Sequence, residues 1–383
     1  MLAGFGFMYN RHMSDRAELT WKKIGGILIK TLLILAVLVG GLVLVNRGKV
    51  LSYLSVYNHL IPGRVRLPYS DTPAKSYSLT VSDLDMMLAS HEISAGKKPA
   101  DEYRVILLGD SSIWGFLLQP EETLTGQLNS MDLKTPEGKR IIFYNLGYPT
   151  LSVIKDYLIL EKVLVYQPDL IIWSVTLESL ARKNALQSPM IQPGDLLRLS
   201  AQLGFSYPVA NSHSSILSPF SDTRRTLSDW YRLQMFGVMW AATGIDQDYP
   251  LNPTPAQRNL EADTNFEGCP VGDYPCVQAL YEVLKAGIQT ADGIPVWVVN
   301  EPMLVSSGLN SNVRYNFYYP RWAYDQYRSD MAALAQESDW MYLDLWNLAP
   351  ENEFTNSAIH LTPAGEHLLA ERVAAEIESS LRP

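Results

Sequence analysis

Two segments far apart in the chain carry residue types that could together perform acyl-transfer chemistry. Residues 104 to 115 read RVILLGDSSIWG, so an apolar run stops abruptly at Gly-Asp-Ser-Ser. Near the C-terminus, NSAIHLTPAGEH places His360 just before an amphipathic stretch. A serine becomes a nucleophile when a base such as histidine removes its proton and N–H groups stabilise the oxyanion that forms. Ser111 and His360 are the candidate nucleophile and base, although Ser111 could equally be a helix cap.

Five short apolar runs predict the strands that would position these residues. They read RVILLG (104 to 109), IIFYNLG (141 to 147), DLIIWSV (169 to 175), IPVWVVN (294 to 300) and MYLDLW (341 to 346). Continuous apolar strands that alternate with helix-like stretches indicate a parallel sheet covered on both faces. Ligands bind at the carboxyl ends of such strands, which is where Ser111 and His360 fall. The sequence therefore predicts an α/β fold with its site at that edge.

Other polar or small residues follow the predicted strands. Gly147 comes after the second strand, where its N–H could approach an oxyanion with no Cβ in the way. The fourth strand ends in VNEPM, so Asn300 could donate to an oxyanion or Glu301 could orient a histidine. Both side chains could instead satisfy local backbone groups. The following stretch NVRYNFYYPRWAYDQYR suits a carbohydrate or anionic substrate, and it suits a helix packed on the sheet equally well.

Four motifs in order resemble the GDSL/SGNH hydrolases. They are Gly109-Asp110-Ser111-Ser112, the NLG of the second strand, the Pro-Asp that opens the third, and HLTPAG near the C-terminus. The resemblance covers residues 103 to 380 apart from an insertion at about 181–275. It implies a three-layer α/β/α flavodoxin-like domain with serine esterase or acyltransferase chemistry and no cofactor or metal. It also implies that Ser111 is the nucleophile, that His360 is the base, and that the N–H groups of Ser111 and Gly147 form the oxyanion hole.

Two positions depart from the pattern of that family. Glu178 stands close to where the family has an asparagine that donates to the oxyanion. An ionised glutamate only accepts hydrogen bonds, so Glu178 could help only if it is protonated or turned away. Ser357 occupies the place of the acid that normally precedes the histidine, with Asn356 beside it. Asn356 could accept from the imidazole as a neutral orienting group, and the lost charge predicts slower catalysis than in a full triad.

An apolar segment near the N-terminus predicts a membrane anchor. Residues 24 to 45 read IGGILIKTLLILAVLVGGLVLV, roughly the 20 residues that a helix needs to cross a bilayer. Lys30 lies near one end, where its stem can reach the headgroups. A weak excess of basic residues before the span favours a cytoplasmic N-terminus, and a cleaved signal peptide is the alternative.

These segments predict four regions along the chain. A cytoplasmic segment covers 1–23, a transmembrane helix 24–46, an extracytoplasmic stalk 47–102, and the hydrolase-like domain 103–383. The insertion at about 181–275 could cover the site, dock a partner or have no separate role. A net charge of −9 with a pI of about 5.2 argues against a nucleic-acid-binding protein.

The two cysteines lie close together in CPVGDYPC. Cys269 and Cys276 could form a disulfide in an oxidising compartment or remain free thiols. Without a histidine nearby they are not a zinc site.

Three classes of function fit these residues. The first is a membrane-anchored esterase that removes acyl groups from envelope glycans or lipids. The second is an acyltransferase component, since similar membrane-tethered proteins work beside multispanning acyltransferases that decorate extracellular polymers. The third is a non-catalytic binding module, favoured by the two altered positions and opposed by the presence of both Ser111 and His360.

Overall fold

The computed structural model describes residues 21–47, 50–205, 218–338 and 340–382, which fall into two compact units. One unit comprises Met1–Leu51 and Ser214–Thr226. It contains helix α1 (Trp21–Arg47), in which the window Lys23–Gly41 has a mean hydropathy of 2.3 and no buried residue. The helix is long and apolar enough to cross a membrane, and a signal sequence would share these properties. Residues 1 to 20 of the predicted cytoplasmic segment lie outside the described residues.

The other unit, Ser52–His213 with Leu227–Pro383, is built on a five-stranded sheet. Its strands are β1 (Glu102–Leu108), β2 (Arg140–Asn145), β3 (Leu170–Val175), β4 (Val296–Asn300) and β5 (Met341–Asp344). All neighbouring strands are parallel, in the order β2-β1-β3-β4-β5. This is the flavodoxin-like order of doubly wound sheets. The predicted fold class is confirmed, and each strand lies within the predicted run or within two residues of it.

Helices cover both faces of this sheet. The described helices after α1 are α2 (Val50–Tyr53), α3 (Pro73–Ser76), α4 (Leu84–Ala89), α5 (Ser111–Trp114), α6 (Leu124–Ser130), α7 (Val153–Val163), α8 (Leu177–Leu180), α9 (Arg182–Ala185), α10 (Pro193–Leu203), α11 (Ser218–Thr243), α12 (Tyr281–Thr290), α13 (Arg321–Ser338) and α14 (Pro363–Leu381). Short 3-10 helices lie at Glu92–Ser94, Pro120–Glu122, Leu164–Tyr166, Tyr274–Val277 and Glu351–Glu353.

The hydrophobic core is divided into two layers by the alternation of side chains along each strand. On β1, Val105 and Leu107 pack in the layer that contains α6 and α14. Ile106 and Leu108 pack in the layer that contains α7, α12 and α13. Because successive side chains of a strand point to opposite faces, a run that is apolar throughout can fill both layers. The three-layer arrangement follows from that pattern.

The predicted stalk is incorrect for residues 52–102, which belong to the same compact unit as the sheet. Tyr57, Leu67 and Met87 in this segment are fully buried. The segment has mostly short helices and extended stretches, so its buried residues follow no helical or strand period. The sequence of such a segment has no periodic pattern that would indicate burial, although several of its residues contribute to the core.

Arg66 is the main polar anchor of that segment. Its guanidinium is 2% exposed and binds the Asp246 carboxylate twice, with Nε–Oδ2 at 2.5 Å and Nη2–Oδ1 at 2.8 Å. It also donates to the carbonyl oxygens of Trp114, Gly115 and Leu118. One side chain therefore connects the predicted stalk, the segment after β1 and the predicted insertion.

The insertion is partly helical and partly extended, and residues 206–217 within it lie outside the described residues. Helix α11 is followed by a segment, 244 to 273, that contains no helix or strand. Cys269 and Cys276 are joined by a disulfide, with their Cα atoms 5.7 Å apart. Of the two possibilities that the sequence leaves open for these cysteines, the structure has the bonded one.

We expect Arg66→Ala to lower the free energy of unfolding by about 3–5 kcal/mol, because it leaves the buried Asp246 carboxylate unpaired. Arg372 is the matched control, since it forms an i,i+4 ion pair with Glu376 and is 44% exposed. Arg372→Ala should cost only about 0.3–0.5 kcal/mol. Urea unfolding of the full chain in detergent measures both. Equal effects of the two substitutions would contradict the role given to Arg66.

Candidate active site

Ser111 is held at the carboxyl edge of the sheet by a helix of a single turn. It is the first residue of α5, directly after the β1 segment, and Asp110 caps the helix by accepting from the Ser112 N–H at 2.9 Å. The helix ends at Gly115, whose φ of 85° lies in the left-handed region that favours glycine. A Cβ at Gly115 would also lie 2.2 Å from a methyl carbon of Thr123. The short helix therefore has a defined end, and its first residue is only half-buried.

Ser111, His360 and Asn356 form a continuous hydrogen-bonded row. The His360 Nε2 atom lies 2.7 Å from Ser111 Oγ, and its Nδ1 atom lies 2.8 Å from Asn356 Oδ1. Because an amide oxygen can only accept, Nδ1 carries the ring proton and Nε2 is free to accept from the serine hydroxyl. His360 and Asn356 come from the loop before α14, which is closed by a Thr355 N–H bond to the His360 carbonyl. The arrangement suits proton transfer from Ser111 to His360.

Burial keeps the His360 imidazole neutral. The residue is 9% exposed and stacks on Phe116, with ring centroids 5.0 Å apart and planes 27° apart. Burial lowers the pKa of His360 to about 4. Since Asn356 carries no charge, it does not counter this effect. At neutral pH the ring is a free base, and the imidazolium is costly to form.

Gly147 is required for close packing against α5. A Cβ there would lie 2.5 Å from the backbone nitrogen of Trp114. Its N–H donates to Asn145 Oδ1 at 3.1 Å, and Asn145 Nδ2 donates to the Ile113 carbonyl at 2.7 Å. The amide predicted to bind an oxyanion is therefore occupied inside the protein. Asn145, which the sequence analysis did not single out, ties this loop to α5.

The Ser111 amide is the other donor predicted for the oxyanion hole. Within the part of the chain that the structure describes, this N–H donates to no other group. It lies at the open end of α5, so it remains available to an oxyanion.

Glu178 lies in α8 and hydrogen-bonds to Asn184 Nδ2 rather than to Ser111 or His360. Burial, and then the neighbouring Glu267 carboxylate, raise the pKa of Glu178 to about 8. Near neutral pH the side chain is mostly protonated, which is one of the two conditions under which a glutamate is compatible with an adjacent oxyanion.

Both polar atoms of the Asn300 side chain are engaged by residues outside the Ser111–His360–Asn356 row, which does not support its predicted role as an oxyanion donor. Its Nδ2 donates to Asp344 Oδ1 at 2.8 Å, and its Oδ1 accepts from the Tyr324 hydroxyl at 3.0 Å. Asn300 is the last residue of β4, and its partners lie on β5 and α13. The other possibility considered for Asn300, that its side chain satisfies neighbouring polar groups, agrees better with these contacts.

Glu301 hydrogen-bonds to α5 rather than to His360, whose Nδ1 is held by Asn356, so the structure does not place Glu301 as the acid that orients the ring. Its Oε2 accepts from Ser112 Oγ and, at 2.7 Å, from Ser174 Oγ. The side chain is 2% exposed, and burial together with the nearby Asp110 carboxylate raises its pKa well above the usual range. Burial likewise raises the pKa of Asp110 to about 6. Glu301 is therefore a buried hydrogen-bonding support for α5, bound to Ser112 rather than to Ser111.

Lys155 is a further buried group that the sequence analysis did not identify. It is fully buried on α7, where its Nζ donates to the carbonyls of Gly109 at 2.7 Å and Tyr148 at 3.1 Å. Its charge is paired with Asp156 at 2.5 Å. The lysine joins the loops after β1 and β2, which carry Ser111 and Gly147. The only signal for it in the sequence was a lysine in the first turn of an otherwise largely apolar helical run.

The arginines of the segment after β4 stabilise the fold. Arg314 donates to the carbonyls of Phe317 and Tyr318, which shapes the loop before α13. Arg328 pairs with Asp344 at 2.6 Å and lies over the Trp346 ring. These two arginines therefore support the interpretation of this segment as a helix packed on the sheet. Among the described residues, no group of three His, Cys, Asp or Glu side chains is arranged to hold a metal ion.

A cavity of about 450 Å³ lies next to the Ser111–His360 pair. Phe116 and Asn356, which both contact His360, are part of its lining. The remaining lining includes Tyr69 and Trp114, and from the insertion Gln247, Asp248, Pro250, Asn252, Pro253 and Thr254. This part of the insertion therefore lines a cavity that shares Phe116 and Asn356 with the surroundings of His360, and covering of the site stays a prediction.

Comparison with known proteins gives structural neighbours alone, since no family model and no curated protein matches the chain. The chain is similar to a lipase/acylhydrolase from Enterococcus faecalis at 13% identity, TM-score 0.38, covering 73% of this chain and 97% of that one. A carbohydrate acetylesterase family member from Sinorhizobium meliloti matches at 13% identity, TM-score 0.35, over 73% and 98%. A member of the lipolytic protein G-D-S-L family from Veillonella parvula DSM 2008 matches at 12% identity, TM-score 0.35, over 72% and 98%. These are similarities of fold alone.

We expect His360 to remain neutral down to about pH 4 and to titrate at higher pH in Asn356→Asp. A carboxylate beside Nδ1 favours the imidazolium, so the substitution raises the pKa of the ring. NMR of ring-labelled histidine in the full chain measures the two titrations, with His360→Gln to assign the signal. Asn356→Leu is the uncharged control and should not raise the pKa. A wild-type midpoint near the ordinary value of about 6.5 would contradict the burial argument.

Proposed function

We propose that this protein is a serine esterase of the GDSL/SGNH type that is anchored in a membrane and hydrolyses acyl esters of envelope glycans or lipids. The observation that carries the proposal is the 2.7 Å contact between Ser111 Oγ and His360 Nε2, in a row that continues to Asn356. Nucleophile, base and orienting group in hydrogen-bond contact are the recognised arrangement for acyl transfer to serine.

In the proposed reaction, His360 Nε2 takes the proton of the Ser111 hydroxyl while Oγ attacks the acyl carbonyl carbon. The tetrahedral intermediate collapses to an acyl-serine when the imidazolium gives its proton to the departing alcohol oxygen. Water then attacks the acyl-serine, with His360 again accepting the proton, and breakdown of the second intermediate returns it to Ser111. The products are a carboxylic acid and an alcohol, so no cofactor is consumed.

Two features of the site set the expected rate. The free Ser111 N–H is available to stabilise the oxyanion, whereas the Gly147 N–H is already engaged. Asn356 keeps the ring in the correct tautomer but supplies no negative charge to stabilise the imidazolium. We expect a functional enzyme that is slower than one with a carboxylate in this position.

Acyl transfer to a sugar hydroxyl would use the same first half of the reaction. The acyl-serine would then be attacked by that hydroxyl instead of by water, with His360 as the base in either case. The multispanning acyltransferase partner stays a prediction from the family resemblance. A binding module without activity is disfavoured, because recognition alone does not require a serine hydroxyl hydrogen-bonded to a neutral, buried histidine.

The catalytic proposal is tested by labelling the full chain with a fluorophosphonate and by measuring hydrolysis of p-nitrophenyl acetate. We expect one adduct on Ser111 and no turnover by Ser111→Ala. His360→Ala should lose both the adduct and about a hundredfold or more of the rate, the usual range for removal of a general base. Ser130→Ala, an exposed serine, is the matched control and should behave as wild type. A well-folded wild-type protein that neither labels nor turns over would reject the proposal.

The proposed location places the sheet-containing unit outside the cytoplasmic membrane, with α1 uncleaved. Alkaline phosphatase fused to the C-terminus should be active in a bacterial host, because the enzyme needs an oxidising compartment. N-terminal sequencing of the membrane fraction should show the uncleaved chain. An inactive fusion would overturn the orientation, and a new N-terminus after α1 would identify a signal peptide instead.

A further inference from the structure

We propose that the cavity beside the Ser111–His360 pair binds an uncharged sugar ring, which is the alcohol portion of the ester. This inference rests on the proposed esterase function and names its substrate class. It selects glycans over lipids among the envelope esters considered above.

The position of the cavity indicates that it would hold the alcohol portion of the ester rather than the acyl group. In the proposed reaction the departing alcohol oxygen receives its proton from His360, so the alcohol must lie on the histidine side of the nucleophile. Phe116 and Asn356 line the cavity, and both contact the His360 ring. The cavity therefore begins on the side of the site where the alcohol has to be held.

One wall of the cavity is aromatic. Tyr69 and Trp114 meet edge to face, with ring centroids 5.8 Å apart, and Trp114 and Phe116 follow at 6.5 Å. The series ends at the stacked contact of Phe116 with His360. Trp114 is only 1% exposed and supports the other two rings, whereas Tyr69 and Phe116 are half-buried. The C–H groups of a pyranose ring present an apolar face that packs on rings such as Tyr69 and Phe116, while its hydroxyl groups point outward. A volume of about 450 Å³ is within the usual range for small-molecule sites.

The rest of the lining is polar and suits hydroxyl groups. It includes Asp71 and Thr72 from one segment and Asn252 and Thr254 from the insertion. These side chains offer both donors and acceptors to a ring of hydroxyls. An alkyl alcohol would remove water from them without replacing its hydrogen bonds, which is unfavourable.

The charges of the lining favour an uncharged sugar. Asp71 and Asp248 are its ionisable acids, and none of the described lining residues is a lysine or an arginine. Lys75 is outside the lining and forms an exposed ion pair with Asp248 at 3.1 Å. A phosphorylated or uronate sugar would meet an acidic wall with no cation dedicated to it, so a neutral ring fits best.

The cavity is held in shape before any ligand binds. Gln247 accepts from the Leu117 N–H at 2.8 Å and donates to the carbonyls of Gly115 and Leu118, both at 3.0 Å. These bonds fasten the insertion to the segment that follows α5. A binding wall that is already ordered loses less entropy when ligand binds.

The test compares two acetyl esters that differ in the alcohol. One is a methyl glucopyranoside carrying one acetyl ester, and the other is p-nitrophenyl acetate. In Asn252→Ala and Asp71→Ala we expect KM for the sugar ester to rise about tenfold, the loss typical of one polar contact. The value of kcat/KM for p-nitrophenyl acetate should stay within about twofold. Asn312→Ala, an exposed asparagine outside the cavity lining, should change neither.

The outcomes separate the two proposals. Ser111-dependent turnover of p-nitrophenyl acetate with a sugar KM that the cavity variants do not alter would overturn the sugar site and leave the esterase intact. Faster turnover of decyl acetate than of the sugar ester would overturn it as well. If no ester is hydrolysed, the esterase proposal fails, and a fluorescence titration of Ser111→Ala with methyl glucopyranoside tests the cavity directly. Saturable binding that Asn252→Ala weakens would support the sugar site, and its absence would reject it.

Discussion

The site depends most on the ion pair and hydrogen bonds of the buried Arg66 guanidinium. The guanidinium binds the Asp246 carboxylate and donates to the carbonyls of Trp114, Gly115 and Leu118. It also lies over the Trp114 ring, 4.6 Å from the ring centroid. Taking a charge out of water is favourable only when nearly every hydrogen-bonding group is satisfied. That requirement forces three segments, distant in sequence, to meet beside Ser111. Trp114 and the insertion residues next to Asp246 also line the neighbouring cavity.

The Ser111–His360–Asn356 row carries no charge before the reaction begins. His360 is uncharged because it is buried, and Asn356 has no ionisable group. Charge would therefore appear only when the proton moves from Ser111 to His360. A buried, neutral surrounding stabilises that charge poorly unless dipoles are aimed at it. The free Ser111 N–H is the described group best placed to do this, which is why a slow enzyme is expected.

The prediction of the sheet succeeded because its sequence pattern is strong. Apolar runs of strand length stand out by composition alone, and parallel strands bring their carboxyl ends to one edge. Ser111 and His360 could therefore be placed together although 249 positions separate them. Asn300 and Glu301 were harder, because neighbouring residues at a strand end point in different directions. Knowing the end of β4 to within one residue was necessary to decide between them.

By itself the sequence determined the fold class, the apolar N-terminal helix, and the residue types at the ends of the strands. Only the tertiary structure decided that residues 52–102 are part of the folded unit and that part of the insertion lines a cavity together with Phe116 and Asn356. The physical reason is that periodic patterns report which face of a strand or helix is buried. Contacts such as those of Arg66 and Gln247 join irregular segments through single polar side chains. Such contacts leave no period in the sequence, so they become visible only when the chain is folded.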